Sequence, residues 1–287
     1  MFQLIVLIFT NIGIGGTSIG AFIGGLYSRN GVFLPAYGKA KSFSGRMSSV
    51  WRKAFDLTYP ITSYFTGHEL NRGLWKEFKE SQIEDFWINF FCISTNITHS
   101  KVEIHQRGYA WRYIRASMSL SGFVPPISDQ GNGNLLLDGG YVNNLPADIM
   151  RDMGIHTIIA VDVGADDDTN GVYYGDSLSG FEVMLNRWNP FSSQKIPNLA
   201  ELQSRLAYVS SVKQLEMVKK MPNCIYLKPS VQQYSTLDFH KFDEIFEYGY
   251  TYGRKIIEEW KLDGRLDKLT MSNKIAFKSK TRRRHSF

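Results

Sequence analysis

The chain has 287 residues, of which 43% are hydrophobic and 14% aromatic. A chain of this size and composition can bury a sizeable core, in one large domain rather than two small ones, and it is not composed like a disordered protein. The formal charge of +6 resides in residues 272–287, which carry six basic residues and no acid. The remaining residues have no net charge, which argues against a nucleic-acid partner.

The first apolar feature in chain order is the run FQLIVLIF at residues 2–9. It is too short to cross a bilayer, which needs roughly 20 apolar residues, and it lacks the positively charged start of a signal peptide. We therefore expect a buried strand here and no transmembrane helix in the chain.

Strands and helices are predicted to alternate along the rest of the chain. Strands are expected at residues 12–16, 89–97, 102–105, 135–137 and 157–163. Helices are expected at residues 18–28, 40–55, 68–80, 110–120, after Asn144, and at 202–215 and 242–260. The run TIIAVDV at 157–163 has a continuously apolar centre, IIAV, as is typical of a strand buried on both faces of a parallel sheet. The pattern predicts an α/β domain with a mostly parallel central sheet and helices on both faces.

We expect this domain to occupy residues 1–271 and the basic segment 272–287 to be a disordered tail. A terminal charge run of this kind is usually solvated. It could also lie against an anionic membrane surface or act as a targeting signal.

The first candidate catalytic motif is Gly16-Thr17-Ser18-Ile19-Gly20, which fits the pattern G-x-S-x-G. This pattern is typical of a sharp strand-to-helix turn that exposes a nucleophilic serine, with glycines where a Cβ would clash. The N–H of Ile19 then points to where an oxyanion would form. The pattern alone is weak, but an apolar strand precedes it and a helix rich in glycine and alanine follows it.

A serine nucleophile needs a base, because a hydroxyl is a poor nucleophile at neutral pH. In α/β-hydrolases the base is a histidine late in the chain, and the candidates here are His156, His240 and His285. None of the three lies in a recognisable catalytic loop. An α/β-hydrolase with His156 or His240 beside Ser18 nevertheless stays open as an alternative.

Asp138 is the stronger partner for Ser18. It ends the apolar strand of LLLDGGYVNN, residues 135–144, and Gly139 and Gly140 allow the backbone to turn sharply after it. An Asp-Gly turn is common in purely structural settings. The end of a buried strand, however, is where open α/β sheets build their sites.

These residues resemble the patatin-like phospholipases, whose catalytic centre is a Ser/Asp dyad, and more narrowly the neuropathy target esterase branch. The resemblance extends over most of the chain, from about residue 15 to about residue 269. Its specific stretches are GGTSIGAFIGGLYS (15–28), LTYPITSYFTG (57–67), WRYIRASMSLSGFVPP (111–126), LLLDGGYVNNLPADIM (135–150), RLAYVSSVKQLE (205–216) and TLDFHKFDEI (236–245).

The resemblance implies a three-layer α/β domain with Ser18 as nucleophile and Asp138 as proton acceptor, and with no metal or organic cofactor. It further implies hydrolysis of lysophospholipids, notably lysophosphatidylcholine to glycerophosphocholine and a fatty acid. The expected partners are the lysophospholipid or phospholipid substrate and a membrane surface. The expected location is the cytosolic face of the endoplasmic reticulum.

One departure from the family pattern concerns the oxyanion hole. Members carry a glycine-rich loop, G-G-G-x-R/K, well before the serine, whereas only 17 residues precede Ser18 here. We expect that the first strand and this loop are lacking, as in a truncated chain. Losing one oxyanion donor typically costs about 100- to 1000-fold in rate. The alternative to an enzyme is therefore a weak or inactive form that binds lipid or a partner.

Overall fold

The computed structural model describes residues 3–5, 13–164, 176–188, 196, 199–231, 233–234, 238–267 and 269. The expected tail at 272–287, with His285, lies outside the described residues, so the domain boundary at 271 stays a prediction. Of the apolar run at 2–9, residues 3–5 are described. None of the helices within the described ranges has the length and apolar character needed to cross a bilayer.

The strands join one mixed sheet in the order β5-β6-β3-β2-β1-β7-β8, with β4 paired to β3. Their bounds are β1 Gln3–Ile5, β2 Gly13–Thr17, β3 Asn89–Asn96, β4 Lys101–His105, β5 Ile127–Ser128, β6 Leu135–Asp138, β7 Ile158–Val161 and β8 Cys224–Leu227. Each strand predicted from the sequence is present, within a few residues at its ends. Strand β1 lies between β2 and β7 and pairs with both.

The helices surround this sheet. Their bounds are α1 Ile19–Asn30, α2 Phe33–Met47, α3 Val50–Phe55, α4 His68–Phe78, α5 Ala110–Ser117, α6 Ala147–Asp152, α7 Gly180–Trp188, α8 Leu199–Lys219 and α9 Phe242–Leu262. The single helix predicted at 40–55 is two helices, α2 and α3, which are separated at residues 48–49. The helix α8 is also present. Of the four apolar residues that predicted it, Leu215 is buried, whereas Leu202, Leu206 and Val209 are exposed.

The α/β class is confirmed, but the strand directions correct the expectation of a mostly parallel sheet. Among the described strands, β2 pairs with β3 and β7 with β8 in parallel, and the other pairs are antiparallel. The turns at 97–100 and 129–134 explain two of the antiparallel pairs. Connections this short can join only antiparallel strands, because a parallel pair needs a crossover of a dozen or more residues.

The core lies on both faces of the sheet. Successive residues of β3 point to opposite sides, so Phe90 and Cys92 pack against α1, α2, α4 and α5 while Phe91 and Ile93 face a second cluster. The second cluster includes Met150 of α6 and residues of β7 and α8. Three layers result, with the carboxyl end of β2 and the end of β6 near one another on either side of β3.

Candidate active site

The strand-to-helix turn predicted at Ser18 is present. Strand β2 ends at Thr17, Ser18 has φ 56° and ψ −122°, and α1 begins at Ile19. A positive φ at a residue with a side chain costs on the order of 1–3 kcal/mol, and it persists only where the surroundings impose it. Here a Cβ on Gly16 would lie 2.4 Å from the backbone carbon of Gly20. The absence of a side chain at Gly16 therefore lets the first turn of α1 pack closely against β2.

Ser18 is 1% exposed and is held by its backbone. Its N–H donates to Ser117 Oγ at 2.9 Å, and its carbonyl accepts from the Phe22 N–H at 3.2 Å. Its own hydroxyl, by contrast, makes no hydrogen bond with any described residue. Because Ile19 is the first residue of α1, its N–H has no acceptor within the helix and points out of the first turn.

Asp138 ends β6, where it is paired in register with Ser94 of β3. Its N–H donates to the Ser119 carbonyl at 2.9 Å, and its Oδ1 accepts from the Gly140 N–H at 2.8 Å. Its other oxygen, Oδ2, is buried and has no hydrogen-bond partner in the described part of the chain. One carboxylate oxygen is thus fixed by the backbone and the other is left available.

The two glycines after Asp138 have different constraints. A Cβ on Gly139 would lie 2.5 Å from the Ile93 carbonyl oxygen, so this residue passes too close to β3 for any side chain. A Cβ on Gly140 would lie 3.1 Å from Asp138 Oδ1, a tighter contact than most real ones. Gly139 therefore brings the turn against the sheet, and Gly140 brings its N–H to the carboxylate.

The pKa of Asp138 reflects its burial and two neighbouring hydrogen-bond donors. Burial raises the pKa of Asp138 to about 6, while the Gly140 N–H and the nearby Ser18 hydroxyl act to lower that pKa. The hydroxyl is close enough to influence the carboxyl, yet the contact does not meet hydrogen-bond geometry. Catalytic hydrogen bonds are often loose in unliganded sites and tighten when substrate binds. The loop that follows Asp138 is hydrogen-bonded to the strand-to-helix turn, because Thr17 Oγ1 donates to the Asn143 carbonyl at 3.2 Å.

The two candidate histidines that the structure describes differ from Ser18 in burial. His156 and His240, which the triad alternative would bring beside the serine, are both exposed, whereas Ser18 is buried. A different histidine, His105, shares a hydrogen bond of 2.7 Å with Ser94 Oγ. Burial lowers the pKa of His105 to about 4, so this ring is neutral at physiological pH. The geometry does not favour the triad alternative.

Three residues near Asp138 were missed by the sequence reasoning. They are Ser117, whose Oγ accepts from the Ser18 N–H, Ser119, whose carbonyl accepts from the Asp138 N–H, and Tyr141, whose hydroxyl oxygen accepts from the Ser121 N–H at 3.0 Å. Burial raises the pKa of Tyr141 to about 12, and the charge of Asp138 acts in the same direction. The available signal was the pair of small hydroxyl residues at the end of the amphipathic helix α5 and just after it, which is also typical of ordinary helix ends.

A separate cavity of about 360 Å³ lies at the opposite ends of β2 and β3, beside Gly13 and Asn89, and does not include Ser18 or Asp138. Within the described ranges, no group of three or more His, Cys, Asp or Glu side chains is placed to hold a metal ion. The expectation of a site without metal or cofactor stays a prediction.

Comparison with known proteins agrees with this architecture. Residues 13–151, which include both Ser18 and Asp138, match the patatin-like phospholipase family. The chain is 56% identical over 268 residues to lysophospholipase NTE1 of Yarrowia lipolytica, a match that covers 93% of the chain and 19% of that protein. It is 57% identical over 254 residues to lysophospholipase nte1 of Aspergillus niger, covering 88% of the chain and 16% of the relative. It is 58% identical over 246 residues to lysophospholipase NTE1 of Saccharomyces cerevisiae, covering 85% of the chain and 14% of that relative.

The chain therefore belongs to the patatin-like phospholipases, and its similar relatives are named lysophospholipases. It spans less than a fifth of the length of these curated relatives. The family resemblance drawn from the sequence motifs is confirmed. The roles of the individual site residues stay predictions.

Proposed function

We propose that this chain is a serine esterase that hydrolyses the carboxylic ester of a lysophospholipid through a Ser18–Asp138 dyad. The observation that carries the proposal is the buried Asp138 carboxylate, whose Oδ2 has no hydrogen-bond partner among the described residues and whose pKa the Ser18 hydroxyl acts to lower. A buried polar atom without a partner is costly. Its retention beside a strained serine supports a chemical role.

In the proposed reaction Asp138 takes the proton of Ser18 Oγ as that oxygen attacks the ester carbonyl carbon. The N–H of Ile19 and the positive end of α1 stabilise the negative charge that develops on the carbonyl oxygen. When the tetrahedral intermediate collapses, Asp138 returns the proton to the leaving alkoxide and an acyl-serine remains. Water, activated by the same carboxylate, then hydrolyses the acyl-serine and releases the fatty acid.

The pKa of Asp138 supports its assignment as the base. A carboxylate with an ordinary pKa near 4 is a weak proton acceptor, whereas a pKa of about 6 keeps it ionised at neutral pH and makes it a stronger base. The names of the relatives support the substrate class, and lysophosphatidylcholine is the substrate we propose. By the same resemblance we propose action at a membrane, on the cytosolic face of the endoplasmic reticulum. A non-catalytic lipid-binding role is not favoured.

The test is release of fatty acid from lysophosphatidylcholine by the purified chain and by Ser18→Ala. Loss of the nucleophile is expected to lower kcat by at least about 1000-fold. Ser28→Ala is a matched control, because Ser28 is a buried serine in α1, the helix that begins directly after Ser18, and its hydroxyl also has no described hydrogen-bond partner. A fluorophosphonate should label Ser18 in the unmodified chain and in the control. Retained turnover in Ser18→Ala would refute the dyad.

A further inference from the structure

A continuous stretch of the chain exposes large apolar side chains to water. It comprises α3 and the loop after it, residues 50–64, here termed the docking segment. Seven of its side chains are 40–85% exposed: Val50, Trp51, Phe55, Leu57, Tyr59, Ile61 and Tyr64. Single exposed apolar residues are ordinary, but a contiguous apolar surface marks a site of interaction with a protein or a membrane.

The charges of the docking segment complement an anionic surface. Its acid, Asp56, is 7% exposed, and its Oδ1 accepts hydrogen bonds from Thr66 Oγ1 and from the His68 N–H. Its two cations remain at the surface: Lys53 is exposed, and Arg52, although paired with Glu69 at 3.0 Å, keeps a side chain that is 41% exposed. Lys and Arg next to an apolar surface attract anionic lipid headgroups. Trp and Tyr, which this segment also presents, prefer the interface between headgroups and acyl chains.

The base of the docking segment is held firmly. The Asp56 carbonyl accepts from the Thr66 N–H at 2.7 Å, which closes the loop. Beneath it lies Arg115, 1% exposed, which donates to Asn71 Oδ1 at 2.8 Å and to the Pro125 carbonyl at 3.2 Å. Burial lowers the pKa of Arg115 to about 10, and the charge of Asp56 opposes that effect. The loop that follows α3 is thus closed at its base by hydrogen bonds between Asp56 and Thr66.

The same segment is attached to the candidate active site. The Tyr64 N–H donates to the Gly122 carbonyl at 2.8 Å. A few residues earlier in that loop, the Ser119 carbonyl accepts from the Asp138 N–H at 2.9 Å. A short stretch of backbone, residues 119–122, therefore connects the docking segment to the strand end that carries the proposed base.

We propose that residues 50–64 dock the domain on a phospholipid bilayer that contains anionic lipid. This inference rests on the proposed function and deepens it, because it names the surface through which the site takes up its lipid. The apolar side chains enter the interfacial region, and Lys53 contacts the headgroups. The site then faces the source of a substrate that is poorly soluble in water.

The first experiment measures binding alone. The 287-residue chain carrying Ser18→Ala is sedimented with vesicles of phosphatidylcholine and phosphatidylserine, so that no substrate is consumed. The triple variant Trp51→Ser, Phe55→Ser and Ile61→Ser is expected to bind at least about tenfold more weakly, because three large side chains no longer leave water. The control triple Leu34→Ser, Ile97→Ser and Leu262→Ser removes exposed apolar residues from other parts of the fold and should bind as before.

Charge is tested by Lys53→Glu. We expect a loss of about fivefold or more on vesicles containing phosphatidylserine and little change on pure phosphatidylcholine, since one basic residue near an anionic surface contributes about 1 kcal/mol. Thermal unfolding confirms that each variant folds. The proposal is overturned if the triple variant of the docking segment binds vesicles as well as the chain with an unmodified segment. It is also overturned if the control triple loses as much binding. A dimer that the docking triple abolishes without changing vesicle binding also overturns it.

A soluble short-chain ester separates this proposal from the proposed function. With Ser18 intact, the docking triple should hydrolyse the soluble ester at the normal rate but act more slowly on lysophospholipid in vesicles. If the unmodified chain hydrolyses neither substrate while vesicle binding still depends on residues 50–64, the proposed function fails and the docking surface stands. If hydrolysis depends on Ser18 but binding does not depend on the segment, the docking surface fails alone.

Discussion

Two aspartates of this fold occupy similar local positions, and one oxygen of each carboxylate is held in the same way. Asp138 ends β6 and Asp162 follows β7, and both are almost completely buried. In each, Oδ1 accepts the backbone N–H two residues further on, from Gly140 at 2.8 Å and from Gly164 at 2.7 Å. Both carboxylates therefore use the same short turn to hold one oxygen.

The second oxygen distinguishes them. Asp162 Oδ2 accepts a hydrogen bond from the Tyr226 hydroxyl of β8. Asp138 Oδ2 has no hydrogen-bond partner in the described part of the chain, and the Ser18 hydroxyl acts to lower the pKa of this carboxyl. A buried strand-end acid is a candidate base when one of its oxygens is left without a donor, and is structural when another strand supplies that donor.

The largest expected effect is on activity. Asp138→Asn keeps the size of the side chain but cannot accept the serine proton, so kcat on lysophosphatidylcholine should fall by at least about 1000-fold. Asp162→Asn should change kcat by less than about tenfold, because Asp162 has no place in the proposed reaction. Initial rates of the two variants, measured at one protein concentration, test this difference. Similar losses in both would remove the distinction between the two acids.

The pH dependence should follow Asp138. Burial raises its pKa to about 6, so the base is protonated below that pH and ionised above it. We expect kcat/KM on a soluble ester to level off above about pH 7 and to fall about tenfold per pH unit well below pH 6. Asp162→Asn should keep the same profile. Circular dichroism at each pH separates titration of the site from unfolding, and a midpoint near pH 4 would contradict a buried base.

Much of the site could be predicted from local sequence. The glycines around Ser18 and the apolar strand before Asp138 are short-range signals, and the structure places both residues at the expected strand ends. The long amphipathic pattern of α9 was also sufficient, since Phe242–Leu262 matches the predicted helix closely.

The parts that could not be predicted depend on contacts distant in sequence. A continuous apolar run shows that a strand is buried but not the direction in which it pairs, so the sheet was expected to be mostly parallel. The run that contains Asp162 also gives no hint of Tyr226, which is 64 residues away. For the same reason Ser117 was not recognised as the acceptor for the Ser18 N–H, a contact across 99 residues.

The smallest expected effect, on stability, should have opposite signs for the two acids. The pKa of Asp138 is about 6 in the fold against 3.8 ordinarily, so ionised Asp138 costs stability at neutral pH. That cost is complete above about pH 6 and disappears as the pH falls below 4. Asp138→Asn removes it and should stabilise the fold by about 1–3 kcal/mol at pH 7, with little effect near pH 4.

Asp162→Asn should instead lower stability by about 1–2 kcal/mol at pH 7, because the charge-assisted hydrogen bond from Tyr226 becomes a neutral one. Urea unfolding of both variants and the unmodified chain at the two pH values measures these changes. Tyr226→Phe in each background is the control. Tyr226→Phe removes the donor to Asp162, so the stability it costs should be smaller in the Asp162→Asn background than in the unmodified chain. In the Asp138→Asn background the stability it costs should be the same as in the unmodified chain. An ionised, buried catalytic base lowers the stability of the fold, so replacing it should not destabilise the protein. If Asp138→Asn loses as much stability as Asp162→Asn, the main role of Asp138 is structural.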